Sequence, residues 1–157
     1  MSYFNIAQEG HLVNVIAPVD INSGVDGDAF SMENWSHASI IITLGVTHST
    51  GSVITVYECA DNAAGDDVAI GFNLASEVTA GGDVLEVLTA VGSGGFTSTV
   101  NDGALYTIEL DAANLSAGYP FVNVKCANPG GATFASVVAV LSGGRYAGSI
   151  SPSVLGD

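Results

Sequence analysis

The chain has 157 residues, 48% hydrophobic and only 11% charged, so it has the apolar content to fill a core and does not read as a disordered tail. Two Lys and Arg against 16 Asp and Glu leave a net charge of −14, over a surface of roughly 7,000 Å² for a fold of this mass. Phosphate backbones and anionic membranes are held by clustered cations, and Lys125 and Arg145 cannot make a cluster, so neither nucleic acid nor a membrane is expected as a partner.

Met1-Ser2-Tyr3-Phe4-Asn5 has no basic start and leads into no apolar stretch, so no secretory signal is expected. No run of about 18 apolar residues offers a membrane-spanning helix. Residues 1–10 read as an N-terminal arm, 11–147 as one β-domain and 148–157 as a small-residue tail.

Runs of Val, Ile, Thr and Tyr bounded by Gly, Asn, Asp and Ser predict strands throughout. The first is His11–Ile16, ended by Ala17-Pro18, with Pro18 at a strand end or sheet edge. Val19–Gly27 reads as a loop or short edge strand and Ala29–Met32 as a short strand. Ser36–Val46 is the strongest run, and the continuous Ile40-Ile41-Ile42 predicts burial on both faces. Ser52–Ala60 alternates, with Val53, Thr55, Tyr57 and Cys59 on one face and Ile54, Val56 and Glu58 on the other. It is predicted to form a hairpin with the preceding run around Thr50-Gly51.

After a polar loop at Asp61–Asp67, strands are predicted at Val68–Phe72 and Asp83–Ala90, separated by Gly81-Gly82. Phe96–Val100 and Ala104–Leu110 are predicted to form a second hairpin about Asn101-Asp102-Gly103. Asp111–Leu115 reads as one helical turn capped by Asp111. Phe121–Ala127, the Asn128-Pro129-Gly130-Gly131 turn and the strand Ala132–Leu141 complete the domain. The fold class is all-β, a β-sandwich or jelly roll of about eight to ten strands.

Chemistry is sparse. Asp61, Asp66 and Asp67 are the loop carboxylates best placed for a divalent cation, although turn-making is their ordinary use. Cys59 and Cys126 sit in apolar runs and read as buried thiols, and with His11, His37 and His48 scattered they do not suggest a metal centre. No cofactor motif is present: Gly92-Ser93-Gly94-Gly95 lacks the Lys-Ser/Thr and the helix of a phosphate loop. Gly-x-Ser-x-Gly does not occur, and Glu58 with Glu109 is the carboxylate pair a glycosidase reading would use. His37 reads as a surface or hydrogen-bonding group, and Lys125, alternating with Val124 and Cys126, points outward. Arg145 is expected to pair with carboxylates, within the subunit or across an interface. Apolar residues at both ends (Tyr3, Phe4 and Ile6; Ile150, Val154 and Leu155) either pack on a neighbouring subunit or fold back on their own sandwich. With Arg145 and Tyr146 they form the expected interface set.

The blocks Leu12–Ile21, Phe30–Ala38, Val53–Asp61, Tyr106–Ala112, Asn128-Pro129-Gly130 and Val140–Ala147, taken in order, resemble a group of small virion proteins of tailed bacteriophages encoded among head genes. The resemblance covers roughly residues 11–147 and implies a non-catalytic decoration or cement protein on the outer phage head. It implies a homo-oligomer, with a trimer favoured, bound to the major capsid protein. The place of action would be the virion surface, after synthesis in the host cytoplasm. The alternatives are a carbohydrate-binding adhesion module, or a tail, neck or head-fibre component.

Overall fold

The computed structural model describes residues 5–77 and 86–145, and of Gln8 only the backbone. Among these, twelve strands and two short helical turns are present: α1 (Ile6–Glu9), β1 (His11–Asp20), β2 (Val25–Asp26), β3 (Phe30–Ser31), β4 (Trp35–Leu44), β5 (Val53–Cys59), β6 (Val68–Ile70), β7 (Phe72–Glu77), β8 (Thr89–Val91), β9 (Phe96–Thr97), β10 (Leu105–Asp111), a 3₁₀ turn (Ala112–Asn114), β11 (Phe121–Cys126) and β12 (Phe134–Gly144). All pair antiparallel. The protein is an all-β sandwich.

One sheet runs β1-β12-β4-β10-β7-β8 and the other β2-β11-β5-β6, with β3 also on β11 and β9 also on β5. β2 and β3 share one edge of β11, and β6 and β9 share the free edge of β5. Counting each sharing pair as one strand position gives eight positions in the orders 1-8-3-6 and 2-7-4-5, with β7 and β8 added beyond β10. This is the order of a jelly roll. Between β6 and β9 the chain leaves the second sheet, builds β7 and β8 onto the first, and returns.

The core lies between the sheets. Ile40, Ile42 and Leu44 of β4, Ile108 and Leu110 of β10, and Val137, Ala139 and Leu141 of β12 meet Ile54 and Val56 of β5 and Val122, Val124 and Cys126 of β11. Every second residue contributes, as the strand period requires. Ile41 is the correction within the isoleucine run: it lies on the outer face and is half-buried, while Ile40 and Ile42 are sealed.

Neither expected hairpin exists. β4 and β5 lie in different sheets, as do β9 and β10, so the Gly45–Ser52 and Ser98–Ala104 segments carry the chain across the sandwich. The turn chemistry was read correctly but its use was not, because any sharp reversal needs such residues, whether it joins neighbours or changes sheets. The two crossings are tied together. Thr47 N–H donates to Asp102 Oδ1 at 2.8 Å, Gly103 N–H to Gly45 O at 3.1 Å, and Ser52 N–H to Ser98 Oγ at 2.9 Å. Gly95, at φ +73°, turns the chain into β9 so close to the Ile54 carbonyl that a Cβ would collide with it.

β1 is an edge strand, as Pro18 suggested, and its pairing with β12 slips between Asn14 and Ile16 and again between Ile16 and Val19. Such bulges, with Pro18, leave a poor template for further strand addition. Val68–Phe72, expected as one strand, is divided at Gly71, and Phe72 begins β7 in the other sheet. Gly81, Gly82 and Asp83 lie outside the described residues.

Ile108→Ala is expected to lower unfolding free energy by about 2–5 kcal/mol, through lost burial and a central cavity. Leu12→Ala, at a side chain 54% exposed on the edge strand, is expected to cost less than about 0.5 kcal/mol. Denaturant midpoints of the two variants check the assignment of core and surface.

Candidate functional site

One end of the sandwich carries a cleft of about 460 Å³. Its walls are the turn from Met32 to Asn34, the loop from Ala112 to Pro120, and Arg145 just past β12. Backbone bonds fix these segments on one another: Met32 N–H donates to Pro120 O at 2.8 Å, and Arg145 N–H to Asn34 O at 2.9 Å. Within the loop, Leu115 N–H donates to Ala112 O at 3.2 Å and Tyr119 N–H to Ser116 O at 3.1 Å.

Two side chains secure the walls from behind. Glu58 faces inward from β5, is 3% exposed, and accepts the Ser116 N–H at 2.7 Å. Trp35 packs on the end of the core and stacks on His11, with ring centres 5.9 Å apart and planes 11° from parallel. A smaller cavity of about 240 Å³ lies on the His11, Trp35 and Phe30 side, sharing Asn34 with the first.

Arg145 is where the expectation of a carboxylate partner is tested. Its Nε donates to the Trp35 carbonyl at 3.1 Å, and no carboxylate of the described residues pairs with it. The within-subunit option therefore fails among the described residues: Glu33, in the same cleft, makes no ion pair with it. Lys125 does point outward, and it is fully engaged. Its Nζ lies 3.4 Å from Asp26, contacts Asp67, and sits 4.6 Å from the Tyr57 ring centre. The Asp67 hydrogen bond, with the field of Asp26, holds the lysine above its ordinary titration range.

Beside the cleft, on the outer face of the first sheet, His37 stands between two carboxylates. Its Nδ1 lies 2.7 Å from Asp111 and its Nε2 2.5 Å from Glu109. Ser39 Oγ donates to Glu109 at 2.7 Å and is 3.4 Å from His37 Nε2. Ser39, His37 and Asp111 thus have the order of a nucleophile, base and orienting acid, but not the chemistry. The hydroxyl proton goes to Glu109, and an imidazole facing acceptors at both nitrogens is held as imidazolium, which cannot take a proton. The neighbouring backbone N–H groups are committed to ladders with β10 and β12, so they form no oxyanion hole. Asp111 does occupy the cap position of the 3₁₀ turn, yet its side chain makes no capping bond.

The other expected sites resolve differently. Glu58 faces the core from the second sheet while Glu109 faces outward from the first, so they cannot flank one glycosidic bond. Asp61 Oδ1 accepts from Ala63 and Gly65 N–H at 2.9 and 3.0 Å, Asp67 holds Lys125, and Asp66 sits at φ +52°. No group of three or more metal-ligating side chains is assembled among the described residues. Cys59 and Cys126 are free and buried, and burial pushes the Cys126 thiol up to about 12. Ile6 opens α1, which packs against β1 and β12 and leaves Ile6 39% exposed. Tyr3, Phe4, Tyr146, Ile150, Val154 and Leu155 lie outside the described residues. The cleft residues Glu33, Asn34, Ser116 and Tyr119 were not anticipated, since no short motif links positions brought together by three separate chain reversals.

No family model and no curated protein matches the chain. Among solved structures, the crystal structure of the SPBc2 prophage-derived protein YomS is similar at a TM-score of 0.49 and 15% identity, over 84% of this chain and 93% of that one.

Two outcomes follow from this geometry. Glu58→Ala removes a charge-assisted bond to Ser116 and is expected to cost about 2 kcal/mol, with faster amide exchange at Ser116. Neither thiol should react with iodoacetamide at pH 8 in the folded protein, and both should react once denaturant unfolds it; thiol-resolved mass spectrometry reads the difference.

Proposed function

We propose that this chain is a structural virion protein that decorates the outer head of a tailed bacteriophage and strengthens the shell without catalysis. The reading is carried by the resemblance of its ordered sequence blocks to small phage head-gene proteins. Those blocks include most of β1, the turn into β4, all of β5, most of β10 and the end of β12. Several of them converge on one end of the sandwich, around Trp35, His37, Glu109, Asp111 and Arg145.

The physical character of the chain suits this role. The two crossings between the sheets are cross-tied by hydrogen bonds. A charge of −14 makes copies repel in solution, so association needs a specific short-range contact. Arg145, with no carboxylate of its own subunit among the described residues, is available for one on a neighbour. A homo-oligomer, with a trimer favoured, would sit on the major capsid protein and add buried area across its seams, which stabilises the shell through mass action. Attachment would use the chain ends with Ile6 and Arg145.

The test is fractionation of the particle. The protein is expected to sediment with heads and not with detached tails, and heads lacking it should rupture at lower temperature. Its presence on tails alone would overturn the reading and favour a tail or neck component. A second reading, a carbohydrate-binding adhesion module, draws on the cleft, where Tyr119, Asn34, Glu33 and Arg145 offer an aromatic surface with hydrogen-bonding groups. It requires saturable glycan binding in calorimetry that Arg145→Ala abolishes; absence of binding across a glycan array removes it.

A further inference from the structure

The His37 cluster has two possible uses for one carboxylate. Asp111 is the cap residue of the Ala112–Asn114 turn, and the unbonded N–H groups that open such a turn are the ordinary target of an Asp there. Instead its Oδ1 is 2.7 Å from His37 Nδ1. Glu109, on the same strand face, occupies the other ring nitrogen at 2.5 Å. A neutral imidazole carries one N–H and one lone pair, so it can serve only one of these carboxylates and must point a lone pair at the other. The observed arrangement satisfies both only with the proton on.

We propose that His37 is a proton-operated latch on the Ala112–Pro120 loop that walls the cleft. With His37 charged, Asp111 is held on the outer sheet face and the start of the loop is fixed to β4. When His37 loses its proton, Glu109 and Asp111 face each other two residues apart with no cation between them. Asp111 is then released from the sheet face, and the loop wall loosens.

Among the described residues, the charged groups that act on His37 are Glu109 and Asp111. β10 contributes Glu109 and Asp111, β4 contributes Ser39, and β12 places Ser142 opposite His37. The 3₁₀ turn contributes Ala112, Ala113 and Asn114. The direction of titration agrees. Burial works against the charged ring, but the Asp111 and Glu109 hydrogen bonds and fields outweigh it, so His37 titrates above its ordinary 6.5. Stabilisation from a raised histidine is complete below the ordinary value and drains away as pH climbs through the raised one. The latch is therefore closed below the ordinary histidine value and opens as pH climbs through the raised one.

The experiment uses the whole chain. Histidine ¹⁵N–¹³C spectra are recorded from pH 5 to 10, together with amide exchange of residues 113–116 corrected for intrinsic chemistry. The expected result is a His37 midpoint above 6.5 and loop opening that rises through that midpoint, by one decade for each unit of pKa difference between the closed and open loop. His37→Gln, which keeps a donor but never a charge, should make loop exchange independent of pH. Asp111→Asn should leave His37 titratable but uncouple it from the loop. A His37 midpoint at or below 6.5 overturns the proposal, as does loop exchange that passes through the midpoint unchanged. Both readouts come from the unmodified protein, so the answer stands even if a variant folds poorly.

Discussion

The ladder between β4 and β12 is the constraint on which the other elements depend. It runs in one unbroken register from Trp35 against Gly144 to Leu44 against Ala135. Both strands are central, so each buries one face while pairing on two edges: β12 carries β1, and β4 carries β10. Because side chains alternate with period two, that register decides at once which residues of four strands face the core. A slip of β12 by one residue against β4 would turn Val137, Ala139 and Leu141 outward and replace them with Ser136, Val138 and Val140 or Ser142. No such mixed polar face could close on Ile54, Val56, Val122 and Val124 of the other sheet.

The same register places the functional end. With Leu141 opposite Ala38 and Gly144 opposite Trp35, the end of β12 delivers Arg145 to the turn that starts β4. With Asp111 opposite His37, the end of β10 delivers both the carboxylate cluster and the loop that walls the cleft. The cleft is therefore a consequence of where three strands of one sheet stop. Across the gap, Glu58 reaches from the second sheet to hold Ser116, so the loop is tied to both layers.

Much of this was legible in the residues and some was not. The strand runs were visible because β-branched residues and alternation are local signals. The outward direction of Lys125 followed from the same alternation, the edge position of β1 from Pro18, and the buried thiols from the apolar runs that hold them. What alternation cannot say is which strand lies next door. Thr50-Gly51 and Asn101-Asp102-Gly103 have the chemistry of hairpin turns, yet both serve passages between sheets, since partner choice is set by core packing far away in sequence. Gly71 illustrates the point in one residue, for it splits an apparently continuous run into strands of different sheets. The functional end suffered most. That Glu109 and Asp111 share a face was readable, but that His37 stands between them depends on pairing β10 with β4 across more than seventy residues of chain.

The charge imbalance raises a question that the hydrogen bonds answer. With 16 acids and two cations, ion pairs cannot neutralise the carboxylates, and the fold uses them otherwise. Asp20 accepts from Asn22 and Thr133 N–H, Asp61 from Ala63 and Gly65, Asp102 from Thr47, and Glu58 from Ser116. Each spends its charge on backbone donors that turns would otherwise leave without a partner. Such bonds are short-ranged and charge-assisted, so they hold loops firmly while leaving the long-range field of the molecule negative. The acids thus do two jobs that cations would spoil. They stitch the loops locally, and they give copies of the chain a long-range mutual repulsion.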